Sequence, residues 1–501
     1  MSLWSRKSLA ACEAEAFDES RPHLPRSLGI VALTAFGVGS TVGAGIFSQT
    51  GEAAALWAGP AVSLSFVLAS IACFFAGLCY AEFAAMVPIA GSAYSYAYVT
   101  LGEVVAWVIG WSLVLEWQFS ASLVAISWSG YTTDALRDLG VSVPAALSGS
   151  PLTLDVHNHF LTTGTWIDLP AVLVVIACTV LMLAGTRTSS LVNVVIVIAK
   201  VLALLVLVGV GSRYVHPQFW HPFVPANGGE FGHFGWSGVA RAAGSLFFAY
   251  IGFDGVSTLA EDARDPQRTV PWSVFASLAI VTLLYVGVSL VITGLASYHT
   301  LNVPDPLYQA LRAGDRGVAW VRYLISIVAV VGLVSVVLAS IFGQVRIFYS
   351  MARDGLMPTA FARLSPRRVP VAGTLWVGGI AAVTAGFMPL SVLADLISLG
   401  TLLAFTMVCV GILVLRHTAP AARRPFRTPW VPLVPVLGAG SCITLMLMLG
   451  RITWTGLAIW TLIGLAVYAA YGHRHSRLRL QALAAARASA AGAEDLTSSL
   501  K

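Results

Sequence analysis

The sequence predicts an all-α membrane protein of about twelve transmembrane helices, and three observations carry that reading. Only 10% of the 501 residues are charged while 57% are hydrophobic. Mean hydropathy is +0.81. The apolar residues also gather into runs long enough to cross a bilayer. Soluble proteins carry about a quarter charged residues because their surface must meet water. This chain has too few, so lipid must cover it. The net charge of +6 is scattered through short loops and forms no stripe, which makes it a topology signal and argues against nucleic acid.

A bilayer core of about 30 Å needs roughly 20 apolar residues in a helix. Runs of that kind occupy 28–51, 60–84, 103–134, 168–186, 190–212, 236–260, 271–296, 318–350, 371–388, 391–416, 430–449 and 453–472. The first is rich in glycine and 371–388 is short. An even number of spans puts both termini on one side. Placing them inside assigns 20 of the 29 Lys and Arg to cytoplasmic segments and five (Arg137, Arg213, Arg312, Arg316 and Arg451) to outer loops. That asymmetry predicts cytoplasmic termini. Residues 1–27 form a tail without the apolar stretch of a signal peptide. Residues 473–501 form a second, Ala- and Arg-rich tail. Cys12 lies in the first tail, while Cys73, Cys79, Cys178, Cys409 and Cys442 sit inside apolar runs. Their spacing indicates neither disulfide nor zinc.

Two spans should break. The first reads Gly37-Val38-Gly39-Ser40-Thr41-Val42-Gly43-Ala44-Gly45-Ile46-Phe47, with four glycines in nine residues. Each costs about 1 kcal/mol in a helix interior relative to Ala. Close packing of small residues is the bland explanation. The sixth span reads Phe247-Phe248-Ala249-Tyr250-Ile251-Gly252-Phe253-Asp254-Gly255, and its interruption falls at a similar depth. Matching interruptions in two halves of a chain are the best sequence pointer to a transporter site. Main chain unwound inside a membrane must find partners, so it is tolerated where it lines a cavity. Amide N–H groups freed at one break, backed by a half-helix dipole, suit a carboxylate. Carbonyls freed at the other suit an ammonium. Together they form a receptor for a zwitterion.

Three charges inside spans carry a candidate role. Lys200 is ten residues into the fifth run, in a chain with three lysines against 26 arginines. Desolvated lysine can lose its proton, whereas arginine effectively cannot. Its structural reading is a donor to backbone carbonyls, and its functional reading is a proton-responsive ammonium. Glu116 lies 13 residues after Glu103, about 20 Å along a helix. It either lines the cavity or is a neutral acid satisfied by neighbours. Asp254 either meets ligand or caps a half-helix. Glu82, Glu261 and Asp262 stand at span ends and read as interfacial. Outer-loop histidines (His157, His159, His216, His221 and His233) lack ordered ligand spacing, so no metal is expected. No nucleotide loop, nucleophile elbow or zinc-protease motif occurs, so no enzyme is expected either.

These stretches resemble the amino acid–polyamine–organocation superfamily and, within it, the cationic amino acid transporter family. The run from Gly37 to Phe47 is similar to that family's first helix, except that Ala44 stands where many bacterial relatives have Thr or Ser. Leu78-Cys79-Tyr80-Ala81-Glu82-Phe83, followed by Pro88-Ile89-Ala90-Gly91-Ser92-Ala93-Tyr94, resembles its second helix and loop. Phe247 through Glu261 with Asp265-Pro266-Gln267-Arg268, the run from Arg346 to Leu356, and Pro425-Phe426-Arg427-Thr428-Pro429 resemble later elements.

The resemblance implies a LeuT-like five-plus-five inverted repeat over 28–416, with two additional helices over 430–472. It implies that backbone at Val42, Gly43, Ala44, Gly45 and Ile46 holds a substrate carboxylate. Backbone at Phe248, Ala249, Ile251 and Gly252 would take the amino group, with Phe248 as a lid. Glu116 and Asp254 would line or flank the pocket. Lys200 would occupy the place of a sodium ion and couple transport to protons. The expected protein is a plasma-membrane permease moving L-amino acids with a proton and no other cofactor. The alternative is an exchanger or amino-acid-sensing transceptor without net accumulation. Neutral and cationic substrates both stay open, as does oligomeric state.

Overall fold

The computed structural model describes residues 28–86, 92–154, 160–185, 190–258, 263–314, 316–367, 369–477 and 479–480. Both tails as far as residue 27 and from 481, the loop residues 88–91, His157, His159, Glu261 and Asp262 lie outside the described residues.

The described chain is helical apart from one short hairpin, β1 (Leu152–Leu154) against β2 (Phe160–Thr162). The first span enters as α1 (Ile30–Thr41), stops at Val42, and resumes through a π-helical turn (Gly45–Gln49), α2 (Thr50–Ala53) and a second π-helical turn (Ala54–Ala58). It therefore runs past the predicted end at residue 51. Glu52 does not end the span, because it is buried inside the fold rather than facing solvent. Gly59, at φ +61°, turns the chain into α3 (Val62–Met86).

There follow α4 (Ser92–Thr100), α5 (Glu103–Asp138), α6 (Leu169–Leu183) and α7 (Ser190–Gly211). The sixth span is α8 (Gly235–Leu246), a 3-10 turn (Phe247–Tyr250), an open stretch and α9 (Gly255–Thr258). The remainder comprises α10 (Pro266–Leu295), α11 (Pro306–Ala313), α12 (Ala319–Arg353), α13 (Val371–Phe387), α14 (Leu390–Thr418), α15 (Leu433–Met448) and α16 (Arg451–Val467). Eleven of the twelve predicted windows hold apolar helix, while 236–260 holds the interrupted sixth span, whose α8 is not apolar enough to count as one. Among the described residues, seven stretches are long and apolar enough to cross a membrane, and α1, α6, α13 and α15 are shorter apolar helices. Two elements are too short and polar to register as hydrophobic runs, namely α4 and α11.

Burial inverts the soluble pattern. Apolar side chains such as Val31, Leu283 and Leu462 face outward, at 83%, 75% and 66% exposure. Glu82, Glu103, Glu116, Lys200 and Asp254 are buried. Two groups of helices result. In one, α3 and α10 hold the broken spans, with α10 against both α1 and α3. In the other, α5 packs along α12 and α14. Ser120 of α5 and Ser340 of α12 are 3.3 Å apart, which fixes their antiparallel register. On its outer side α5 holds α16 through stacked Trp111 and Trp460. Each of these indoles donates to the other's carbonyl, at 2.7 and 2.9 Å.

The face carrying both described ends of the chain is tied by acids. Glu82 of α3, fully buried, accepts from Arg416 at 3.1 and 2.8 Å and from the Thr428 amide at 2.7 Å. Arg424 adds an ion pair at 3.2 Å. A span-end acid expected to be merely interfacial is thus the knot between α3, α14 and the loop carrying Pro425 to Pro429. Glu103 similarly gathers Tyr98, Tyr468 and Ser476, at 3.0, 2.7 and 2.6 Å, and docks the segment after α16 onto α5.

Candidate functional site

The first break follows from the glycines. Residues Gly37 and Gly39 let neighbours approach: an added Cβ would lie 2.8 Å from Val256 at the former and 2.3 Å from Val197 at the latter. The Val42 amide closes the last bond of α1, to Val38 at 2.9 Å. The next intrahelical bond is Phe47 N–H to Gly43 C=O, at 3.3 Å. Carbonyls from Gly39 to Val42 and amides from Gly43 to Ile46 have accordingly lost their helical partners, as at any pair of helix ends.

Side chains take up most of those carbonyls. Lys200 donates to Gly39 at 3.0 Å and to Val42 at 2.8 Å. Its stem lies against Gly332 of α12, where an added Cβ would come within 2.8 Å. Tyr285 of α10 donates to Thr41 at 2.8 Å. The structural reading of Lys200 as a donor to backbone carbonyls is what the geometry displays, and those carbonyls are the ones the break exposes.

The second break begins where Ser398 of α14 intervenes. Its hydroxyl donates to Ser245 C=O at 2.7 Å and accepts the Phe248 amide at 3.0 Å. The chain then needs a positive φ, which Gly252 supplies at +119°. A side chain there would also meet Ser40 and Thr41 backbone at 2.8 Å. Asp254 accepts the Gly252 amide at 3.2 Å. That amide precedes α9, so the bond is a local one and bears on neither sequence reading, ligand contact or half-helix cap.

The two breaks touch. Gly45 faces Ala249 so closely that an added Cβ would lie 2.4 Å from its Cα and Cβ. Ser40 donates across to Gly252 C=O at 2.9 Å. Tyr285 bridges them, donating also to Ala249 C=O at 3.0 Å. Val42, Ala44, Ile46, Phe248 and Ala249 are all buried, and Ile251 is half-buried. Glu116 comes into the same region from α5. It accepts from Thr401 at 2.8 Å, its other oxygen has no protein partner, and it feels the charge of Asp254. The fold thus brings the first break, the second break, Lys200, Glu116 and Asp254 into one region, whereas Glu82 lies apart at the face carrying the termini and Glu261, Asp262, His157 and His159 lie outside the described residues.

Sequence reading assigned no role to Ser40, Tyr285 and Ser398, the hydroxyls that bond the main chain of the breaks, nor to Thr401, which holds Glu116. Single hydroxyl-bearing residues in apolar runs carry no periodic signal. Gln344 was missed as well. It stands level with Glu116 in the α5–α12 register, and its buried amide has no protein partner at either atom. A further buried cluster at the α14 start was also unforeseen. There Arg241 pairs with Asp395, Thr453 donates to Asp395 at 3.2 Å, and Arg241 stacks on Trp57 at 4.4 Å.

Two discontinuous helices meeting mid-fold, with polar groups converging on their main chain, are the arrangement of a membrane transporter. The comparisons with known proteins agree. The amino acid permease family matches residues 28–468, and the chain belongs to that family, within the amino acid–polyamine–organocation superfamily. It is 41% identical to the methylthioribose transporter of Bacillus subtilis over 479 residues, covering 95% of this chain and 99% of that one. It is 39% identical to the branched-chain amino acid permease BcaP of the same organism, with the same coverage. It is 38% identical to the vacuolar cationic amino acid transporter 4 of Arabidopsis thaliana, over 80% of this chain and 65% of that one.

Proposed function

We propose that the protein is a secondary active permease that carries an L-amino acid together with a proton by alternating access. The observation that carries this reading is the meeting of the two breaks, with Lys200 donating to main chain that the first break exposes. The free amides from Gly43 to Ile46 sit at the start of a half-helix and suit a carboxylate. Carbonyls between Phe248 and Gly252 suit the amino group, and Phe248 is the lid. Glu116 and Asp254 flank the pocket.

Lys200 is the coupling group in this reading. Charged, it grips the Gly39 and Val42 carbonyls and holds α1 against α7. Neutral, it donates more weakly, and the bundle of α1, α3 and the sixth span is freed to tilt. The fold is read as a LeuT-like five-plus-five repeat with two helices appended, set in the plasma membrane with both termini cytoplasmic. Arginine asymmetry supports that orientation.

In proteoliposomes, Lys200→Met should bind substrate yet lose uptake driven by a pH gradient. Undiminished gradient-driven uptake in that variant removes the coupling claim, and counterflow without net uptake in the native chain favours an exchanger.

A second reading concerns the substrate. The 41% identity to a methylthioribose transporter favours a thiosugar, which has hydroxyls and a thioether but no zwitterion. A thermal-shift screen of the twenty amino acids beside methylthioribose separates the two. Stabilisation by methylthioribose alone would overturn the amino acid reading.

A further inference from the structure

At the end of α5 opposite the chain termini, the segment 301–313 with α11 rests on two elements. It covers the resumed half of the first span, where a Cβ added to Gly51 would lie 2.2 Å from Pro306 and 2.4 Å from the Leu301 carbonyl. It also rests on α5, where a Cβ on Gly130 would lie 2.8 Å from Pro304 and 3.5 Å from Asp305. The segment is therefore a cap over one end of the broken span.

Asp305 stands at the N-cap of α11, yet its side chain does not cap the helix. It is 3% exposed and its Oδ2 accepts no hydrogen bond. Asp134 of α5, also buried, is directly beside it. Both Asp134 oxygens are already engaged, Oδ1 by Arg137 and Oδ2 by Gln309 of α11 at 2.9 Å. Among the described residues, the other charged and titratable groups packed around the cap are committed elsewhere. Arg322 of α12 turns to Asp138 at 3.5 Å and to the Tyr308 ring at 5.3 Å. Tyr308 lies beside Asp138. Tyr131 donates to the Phe47 carbonyl at 2.6 Å. Glu52 of α2 faces Arg241 and Asp395. Arg312 is exposed on α11, and Tyr285 of α10 is taken up by the breaks. Among the described residues, Arg137 is the positive charge that acts on Asp305, and that guanidinium is half exposed and already paired.

We propose that Asp305 and Asp134 together bind one proton, and that this proton fastens the cap onto α5. With the proton present, the Asp305 carboxyl donates to the Asp134 carboxylate and closes the contact. Without it, two carboxylates face each other in a buried site, one charge in excess of what Arg137 balances, and the cap lifts. Burial first, and the Asp134 carboxylate second, push Asp305 well above the usual carboxylate range. A raised acid stabilises the docked state at low pH and loses that effect as pH rises through its docked value. This site is separate from the breaks and from Lys200, and it does not depend on which substrate is carried. Acid on the cap's side closes the cap.

The test is hydrogen exchange of the α11 amides in the purified full-length protein across acid to alkaline pH, corrected for intrinsic exchange. Between the undocked and docked values of Asp305, one-proton linkage predicts protection falling by up to about tenfold per pH unit and levelling off above the docked value. Asp305→Asn supplies a donor that does not titrate, so α11 should stay protected at every pH. Asp134→Asn, made in case the first variant folds poorly, removes the repulsion and should do the same. Wild-type protection that ignores pH overturns the proposal. So does an Asn variant that keeps the wild-type pH dependence or exchanges fast throughout.

Discussion

At the residue scale, hydroxyls do the work of keeping two helices open. Tyr285 alone satisfies one carbonyl from each break. Buried hydrogen bonds contribute about 1 kcal/mol each, and orphaned partners cost more. Tyr285→Phe should lower stability by about 2 kcal/mol in detergent unfolding, and it should depress uptake more than that loss of folded protein explains. Uptake falling only in step with folded protein would mean the bridge is purely structural. Gln344 is the converse case, a buried amide with no protein partner. Replacing an unsatisfied polar group by an apolar one of similar shape removes a desolvation penalty of about 1–3 kcal/mol. Gln344→Leu should therefore raise the unfolding midpoint. A lowered midpoint would show that the amide is bonded in the working protein.

At the element scale, the proposed mechanism turns on the contact between α1 with its π-helical continuation and the turn Phe247–Tyr250. That contact depends on the absence of a side chain at one position. Gly45→Ala should force the two elements apart and abolish uptake while leaving the protein folded in the membrane. Ala249→Gly should not rescue it, because Ala249 Cα lies as close as Cβ, both at 2.4 Å from the added group. Rescue by that second change would show that the elements separate more freely than their packing implies. The same comparison explains a limit of sequence reading. Glycine spacing located both interruptions because the cost of glycine in a helix is local. The ammonium of Lys200 and the hydroxyls of Tyr285 and Ser398 that make the interruptions tolerable come from α7, α10 and α14, far away in sequence. No local signal marks them.

At the scale of the whole molecule, buried acids tie the helix groups together at the face carrying the termini. Glu82 compensates Arg416 and Arg424 at once. Removing one partner of a buried pair is strongly destabilising because the other charge is left uncompensated. Glu82→Gln should cost about 3 kcal/mol, measured as loss of folded protein against temperature. A change within the noise of surface substitutions would mean the knot is solvated. Because α3 belongs with the broken spans and α14 with the other group, this variant should also alter how readily the groups separate.

The chain alone determined the membrane class, the placement of nearly every helix, the two interruptions and the burial of Lys200 and Glu116, since each follows from composition, period or the local cost of a residue. Tertiary structure decided what those features touch: that Lys200 reaches the first break, that Tyr285 joins both, that Glu82 is a knot, and that Asp305 meets Asp134. The physical reason is range. Hydropathy and backbone strain act over a few residues, whereas a buried polar atom is satisfied by whichever distant helix the packing brings within about 3 Å.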